Sequence, residues 1–202
     1  MNTEDTRLAL LAVCDAVLDS EELLTEADMA IGDGDHGIGM SRGFWAAKRQ
    51  LDAKCFNSVT DCLKCVGFAV ISKSGGASGA IFGTFFLAAS KETEGETEIT
   101  HQLFERILDA GSNAVANRGG ASPGDKTMLD ALRPARVAAS NAKSLVEALK
   151  AASEAAAAGA ESTKEMIAKH GKAKSLGARA LGYPDPGAIT FSIIMKALAN
   201  SS

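Results

Sequence analysis

The sequence has no excess of positive charge, no long apolar run and no sustained strand pattern, and each absence excludes a class of protein. A formal net charge of -4 argues against a nucleic-acid-binding protein, because such proteins depend on clustered cations. No apolar run approaches the roughly 20 residues of a membrane-spanning helix. Regular alternation of apolar and polar residues is scarce, which argues against a β-sheet fold.

The length and composition are those of one globular domain. The chain has 202 residues, of which 46% are hydrophobic and 23% charged, and a chain of this length buries a sizeable core. No internal repeat divides it, so we expect residues 1–202 to form a single domain. The charged start, with Glu4, Asp5 and Arg7, differs from a secretion signal, so a soluble cytoplasmic protein is expected.

The four cysteines are Cys14, Cys55, Cys62 and Cys65. The last two form a C-x-x-C, which is typical of a redox pair or of half a zinc site. A zinc site would need a second pair or two histidines at ligand spacing, and the sequence has neither. Because both cysteines fall in a helical pattern, we expect reduced, half-buried thiols.

Apolar residues recur every three or four positions along most of the chain, which predicts helices. Caps and breakers divide the pattern into about eight helices, at 4–29, 41–52, 58–72, 79–91, 100–117, 127–141, 144–169 and 187–199. The polar segment 93–98 is the expected linker. The sequence therefore predicts an all-α fold.

Glycines are concentrated in four loops, each just before a predicted helix, at 32–37, 75–79, 118–127 and 184–187. Helix N-termini present unpaired N–H groups and a positive dipole end, and both attract anions. Glycine also lets the backbone approach a ligand closely. Alternate loops of an antiparallel helical array share one end, so the four loops could converge on one anion-binding site.

Three aspartates, Asp28, Asp33 and Asp35, are the sharpest chemical signal. No Lys or Arg lies between Glu22 and Ser41, so nothing nearby in sequence balances their charge. Mg²⁺ prefers such hard oxygen ligands, completed by phosphates and water. Aspartates in glycine-rich turns also cap helices, and these residues alone do not decide between a metal site and caps.

The acidic loop matches none of three common motifs. An EF-hand that began at Asp33 would need Glu at its twelfth position, where Phe44 stands. The spacing of the loop glycines is wrong for a Rossmann fingerprint, and a helical pattern rather than a strand precedes them. No Walker motif occurs. Any nucleotide site in this chain is therefore of another kind.

Other candidate residues have two interpretations each. The loop 75–79 is either a phosphate cradle or a tight turn between helices, and 185–187 is either part of a site or a plain turn. Lys126 either neutralises phosphate charge or is an exposed lysine near a helix start. His36 is either a base or phosphoryl carrier or, as we prefer, a hydrogen-bonding partner. His101 and His170 are expected to be structural or solvent-facing.

Taken together and in this order, the loops resemble the L subunits of the dihydroxyacetone kinases, over about Thr25 to Ala199. The stretches that carry the resemblance are 31–37, 42–44, 75–79, 82–86, 123–128 and 185–187. The resemblance implies a barrel of eight antiparallel helices. It also implies that the protein acts as a kinase subunit with no catalytic side chain of its own beyond the metal ligands.

The resemblance further implies a set of ligand-binding residues. Two Mg²⁺ ions would be held by Asp28, Asp33 and Asp35. ADP or ATP would be bound by His36, Gly37, Ile38, Gly39, Ala77, Ser78, Gly119, Met128, Lys172, Asp185, Pro186 and Gly187.

The implied partners follow from the same resemblance. A separate K subunit would hold a short ketose, such as dihydroxyacetone or erythrulose, and a phosphocarrier M-type subunit could recharge the bound ADP. Some family members have asparagine where this chain has Gly39, and its absence favours exchange of free ATP and ADP. A homodimer is a further expectation. The alternative function is a non-catalytic regulatory module that binds a nucleotide or a lipid.

Overall fold

The computed structural model describes residues 1–201. Within this range the regular structure is helical, apart from one isolated β-bridge between Asn2 and Glu98. The nine α-helices of the described residues are α1 (Thr3–Asp19), α2 (Glu21–Ile31), α3 (His36–Ala53), α4 (Val59–Lys73), α5 (Gly76–Glu92), α6 (His101–Gly119), α7 (Leu129–Ser140), α8 (Leu145–Ser162) and α9 (Pro186–Asn200). Two 3-10 segments, Thr163–Glu165 and Lys172–Ala180, lie between α8 and α9.

Eight of the helices form a closed ring. Each helix from α3 to α9 packs against the next, and α1 closes the ring by contacting both α3 and α9. Helix α2 lies against α3, α9 and the segment Lys172–Ala180. The predicted all-α barrel of about eight helices is therefore confirmed.

Three predicted helix boundaries are wrong. The helix predicted at 4–29 is interrupted at Ser20, whose hydroxyl donates to the Ala16 carbonyl while its N–H caps the end of α1. The helix predicted from residue 41 begins earlier, at His36, and the helix predicted to reach 169 ends at Ser162. Tertiary hydrogen bonds to Thr163 fix that last end, and a periodic pattern cannot reveal them.

Short polar side chains start several of the helices. Asn2 and Asp5 form a reciprocal capping box at α1, and the side chains of Ser58, Thr100 and Ser144 each accept an N–H of the following helix. Each such cap is worth roughly 1 kcal/mol. The caps define where each loop ends, and so they position the loops around the ring.

The interior of the ring is apolar and centred on phenylalanines. The ring centroids of Phe85 and Phe86 lie 5.4 Å apart, and those of Phe85 and Phe191 lie 5.6 Å apart, both edge to face, a geometry that aromatic pairs favour. An apolar cavity of about 50 Å³ remains beside Phe86 and Leu149. No helix of the described chain combines the length and the apolar character needed to cross a bilayer.

All four cysteines are free thiols, which agrees with the prediction of reduced thiols for Cys62 and Cys65. Cys62 and Cys65 lie on α4; the first is buried and the second half-buried. Burial raises the pKa of Cys62 to about 12 and also raises that of Cys65. Reactive cysteines have lowered pKa values instead, so the structure gives no support to a redox role for this pair.

Candidate functional site

The four glycine-rich loops converge on one cleft, as the sequence predicted. The α2–α3, α4–α5, α6–α7 and α8–α9 connections lie at the same end of the ring and enclose a cleft of about 720 Å³. This volume is within the usual range for small-molecule sites. Most of the predicted site residues line it, namely Asp28, Asp33, Asp35, His36, Gly39, Ala77, Ser78, Gly119, Met128, Lys172, Asp185, Pro186 and Gly187.

Gly37 and Ile38 do not line the cleft, contrary to expectation. Gly37 faces α2, because a Cβ added there would lie 2.2 Å from Thr25 Oγ1 and 2.3 Å from the Glu21 carbonyl oxygen. The side chain of Ile38 is 47% exposed on the outer side of α3. Glycine at position 37 therefore permits the close packing of α2 on α3.

The three predicted aspartates come together at one end of the cleft. One carboxylate oxygen from each of Asp28, Asp33 and Asp35 lies within 4.8 Å of the others. Asp28 is half-buried near the end of α2, and the other two are exposed in the loop. Clustered oxygen donors of this kind fit a hard divalent cation such as Mg²⁺.

Two glycines allow the acidic loop to bend around Asp28. A Cβ added at Gly32 would lie 2.2 Å from Asp28 Oδ1, so any side chain would displace that carboxylate. Gly34 has φ +78°, in the left-handed region that favours glycine. The backbone N–H of His36 also donates to Asp28 Oδ2 over 3.2 Å. Asp28 is thereby held through Oδ2, and the absence of a side chain at Gly32 leaves room for Oδ1.

Lys172 supplies a positive charge to the acidic cluster. Its Nζ donates to Asp33 Oδ2 and lies 3.7 Å from Asp35 Oδ2. The lysine side chain is 60% exposed, so this ion pair is weak in energetic terms. It nevertheless brings the segment Lys172–Ala180 against the acidic loop across the cleft.

His36 is a buried hydrogen-bonding residue that links three helices. Its Nδ1 lies 2.9 Å from Ser78 Oγ on α5, and its Nε2 lies 2.8 Å from Thr190 Oγ1 on α9. Burial lowers the pKa of His36 to about 4, so the ring is neutral at pH 7. The Thr190 hydroxyl also lies 3.0 Å from the Pro186 carbonyl oxygen, and if it donates there, Nε2 of His36 donates to Thr190. This arrangement favours the hydrogen-bonding interpretation of His36.

The start of α5 forms a second wall of the cleft. Gly75 and Gly76 have φ +73° and +59°, which other residues rarely adopt. The helix then begins with Ala77 and Ser78, whose side chains are small enough to leave its first turn open to the cleft. An N-terminal turn of this kind can bind a phosphate through its backbone N–H groups.

Lys126 is buried, so its interpretation as an exposed lysine near a helix start is wrong. Only 2% of the residue is accessible, and its Nζ donates to the carbonyl oxygens of Thr163, Ala180 and Tyr183 at 2.7, 2.9 and 2.6 Å. Burial lowers the pKa of Lys126, but three acceptors compensate for the loss of water. Its main contacts therefore hold the 163–183 segment in place.

His170 lines the cleft and its side chain is 36% exposed, which agrees with the prediction of a structural or solvent-facing residue. Its Nε2 lies 3.1 Å from Asp125 Oδ2, and Lys169 Nζ donates to Asp125 Oδ1 over 2.7 Å. The bond from Lys169 and one from the Ser122 N–H lower the pKa of Asp125 to about 2. Asp125 thus connects the α6–α7 loop to the 163–183 segment. His101 is structural, as expected, and bonds the Ala139 carbonyl.

Asp185, Pro186 and Gly187 start α9 at the cleft. The Asp185 carboxylate caps the helix by accepting the Ala188 N–H over 2.8 Å, and proline at the first helical position suits this geometry. Burial raises the pKa of Asp185 to about 7, although the Ala188 amide favours its anion. The turn is therefore both a helix start and part of the cleft wall.

Part of the cleft wall is apolar. It comes from α5, α6 and the start of α7, through Ile81, Phe82, Val115, Met128 and Leu129. Of these residues only Met128 was predicted to belong to the site, since the others follow the periodicity of ordinary core residues. The cleft thus combines acidic and apolar walls, which suits a ligand with a charged group and a hydrophobic ring.

The comparisons with known proteins agree with this geometry. A sequence model of the DAK2 domain matches residues 30–200. The chain belongs to the DAK2 domain family. The ADP-binding subunit DhaL of the PEP-dependent dihydroxyacetone kinase of Escherichia coli (strain K12) is 39% identical to this DAK2 chain over 194 residues, which cover 94% of this chain and 92% of that subunit.

Longer proteins match as well. The L-erythrulose 1-kinase of Mycolicibacterium smegmatis is 39% identical over 187 residues, covering 89% of this DAK2 chain but only 32% of that kinase. The dihydroxyacetone kinase of C. freundii, solved in its native form, superimposes on 98% of this chain and 34% of its own, with a TM-score of 0.74 and 29% identity. The same kinase solved with AMP-PNP and Mg²⁺ gives a TM-score of 0.74 at 28% identity. In both longer proteins the DAK2 chain spans about a third of the total length.

Proposed function

We propose that this chain, as one domain over residues 1–202, is the nucleotide-binding subunit of a dihydroxyacetone-kinase-type phosphotransferase. In this role it presents Mg-ATP, from which a phosphoryl group passes to a short ketose held on a separate K subunit. The observation that carries the proposal is the set of three carboxylates within 4.8 Å, at one end of a cleft walled by helix N-termini. The similarity to DhaL subunits supports it.

Asp28, Asp33 and Asp35 would hold the metal, and we propose two Mg²⁺ ions. The residues fit a divalent cation because their oxygens are hard ligands and Gly32 leaves room for the Asp28 carboxylate. When bound, the ions would neutralise the charge of the phosphates. The complex of the C. freundii kinase with AMP-PNP and Mg²⁺ supports this assignment.

The nucleotide would lie along the length of the cleft. Its base would contact apolar residues such as Ile81, Val115 and Met128, and its phosphates would face the first turns of α3 and α5. Pre-oriented N–H groups of this type stabilise negative charge without reorganising. Phosphoryl transfer depends mainly on positioning and charge neutralisation, so the lack of a nucleophile in the cleft is compatible with the proposed role.

The phosphoryl donor would be either free ATP or ADP recharged in place by a phosphocarrier subunit. The names of some relatives, which are PEP-dependent or PTS-dependent kinases, support the recharged ADP. Gly39 supports exchange of free nucleotide. It lines the cleft without a side chain, and a Cβ there would lie 2.9 Å from the Ser74 carbonyl oxygen.

A lipid-binding role has less support. The apolar cavity inside the ring measures about 50 Å³, whereas sites for drug-sized ligands usually measure roughly 300–1,000 Å³. An acyl chain would require the helices to separate. The kinase role requires no such rearrangement.

The test is reconstitution. The chain is mixed with candidate ketose-binding K subunits, and ketose phosphorylation is measured with ATP and, separately, with a phosphorylated carrier protein. We expect activity with one donor and loss of that activity in Asp33→Asn. Asp52→Asn, which alters an exposed carboxylate at the other end of α3, is the matched control and should remain active. Equal activity of Asp33→Asn and the parent chain would contradict the proposal.

A further inference from the structure

The cations that line the cleft have different partners. Lys126 is bound to carbonyl groups, Lys172 contacts Asp33, and His170 contacts Asp125. Arg42 and Arg118, which also line the cleft, have no carboxylate within 4.0 Å in residues 1–201. Of these two, only Arg42 lies on α3, on the face that carries Asp35. The one hydrogen bond of Arg42 runs from Nη2 to the Ser74 carbonyl over 3.3 Å. An exposed guanidinium in an acidic cleft is thus available for another anion.

The contact with Ser74 fixes the position of the guanidinium. Ser74 is only 3% exposed and is packed closely against Gly43 on α3 and Gly79 on α5, where an added Cβ would collide with it. A Cβ at Gly75 would lie 3.8 Å from Arg42 Nη2. The guanidinium therefore rests on the turn that leads into α5. A guanidinium has several N–H donors, and only one of them is used here.

The helical register directs Arg42 towards the acidic end of the cleft. Asp35, Gly39 and Arg42 are spaced i, i+4 and i+7 along the start of α3, so they share a face, and all three line the cleft. Long side chains on a helix lean towards its N-terminus, which here is the end that carries Asp35. Gly39 has no side chain to obstruct that path.

We propose that Arg42 binds the terminal phosphate of the nucleoside triphosphate in this cleft. The inference rests on the proposed function and adds a residue to it. A guanidinium can bind a phosphate through two parallel N–H···O bonds. Arg42 lies between the acidic cluster and the first turn of α5, where the far end of the polyphosphate would lie. Anchoring by Ser74 leaves its remaining donors free for that contact.

The test compares binding of AMP-PNP and ADP by calorimetry, with Mg²⁺ and the chain alone. Arg42→Gln should lower the affinity for AMP-PNP by about tenfold or more, which is the usual effect of losing a charged hydrogen bond. It should lower the affinity for ADP by less than about threefold. Arg42→Lys keeps the charge, so its affinity for AMP-PNP should lie between those of the parent chain and Arg42→Gln. The control is Arg49→Gln, about two turns further along α3, where Arg49 lies over the Trp45 ring outside the cleft. It should bind both nucleotides as the parent chain does.

Two results would overturn the assignment. If Arg42→Gln loses affinity for AMP-PNP and ADP equally, the residue does not distinguish the terminal phosphate. If both affinities are unchanged, it contacts no phosphate. Circular dichroism of each variant confirms folding, and Arg42→Lys provides the comparison if Arg42→Gln misfolds. Failure of the parent chain to bind either nucleotide would instead refute the proposed function.

Discussion

Replacing Lys126 with methionine tests what this buried lysine does. Methionine keeps most of the aliphatic stem but removes the ammonium that donates to the carbonyls of Thr163, Ala180 and Tyr183. The Thr163 carbonyl also accepts the Met166 N–H. The other two carbonyls would lose their hydrogen-bond partner.

The expected cost follows from the burial of those carbonyls. A buried acceptor left unpaired costs about 1–3 kcal/mol. Ala180 is fully buried, whereas Tyr183 is 48% exposed, so water can partly replace the ammonium at Tyr183. We expect Lys126→Met to lower the free energy of unfolding by about 2–4 kcal/mol.

Urea unfolding of the nucleotide-free chain measures this loss. Hydrogen exchange should also accelerate at the Gly182 and Lys169 amides, which bond to the Lys164 and Asp125 carbonyls within the affected region. The matched control, Lys174→Met, alters an exposed lysine of the same segment and should change stability by less than about 0.5 kcal/mol. Unchanged stability of Lys126→Met, with weaker nucleotide binding, would refute the structural role and restore the phosphate-binding interpretation.

Three further predictions concern the cleft. Gly32→Ala should displace the Asp28 carboxylate and weaken Mg²⁺-dependent nucleotide binding about 10- to 100-fold. The circular dichroism spectrum should change little, and an unchanged nucleotide affinity would contradict the prediction. Thr190→Val removes the hydroxyl that bonds His36 Nε2 and should cost about 1–3 kcal/mol in urea unfolding, whereas Thr190→Ser should cost less. Because the pKa of Asp125 is lowered to about 2, its stabilising effect is complete above about pH 5 and is lost as the pH falls from about 4 towards 2. The stability difference between the parent chain and Asp125→Asn should shrink over that range, and a constant difference would contradict the assignment.

The fold was predictable because its helices are long, amphipathic and separated by clear breakers. The interruption at Ser20 was not, since the apolar period continues through it and the break depends on how α2 turns across α3 and α9. The end of α8 was missed for a similar reason. An alanine-rich stretch favours helix locally, but bonds from Lys126 and Asp185 to Thr163 end it.

The site was predictable where its chemistry is local in sequence. Asp33 and Asp35 are two residues apart, and the glycine turns stand beside the helices they start, so both were visible without a structure. The partners of Lys126 lie 37 to 57 residues away, and no local pattern reveals such contacts. Arg42 belonged to a stretch that carried the family resemblance, but its position on the Ser74 turn depends on how α3 packs against α4.

The most direct test of the metal site is Mg²⁺-dependent stabilisation by ADP. At about 100 times its dissociation constant, ADP should stabilise the parent chain by about 2.7 kcal/mol when Mg²⁺ is present, and much less when the metal is chelated. Asp33→Ala should fold normally but lose this stabilisation, whereas the exposed control Asp52→Asn should keep it. Equal stabilisation of Asp33→Ala and the parent chain would contradict the assignment of these carboxylates as metal ligands.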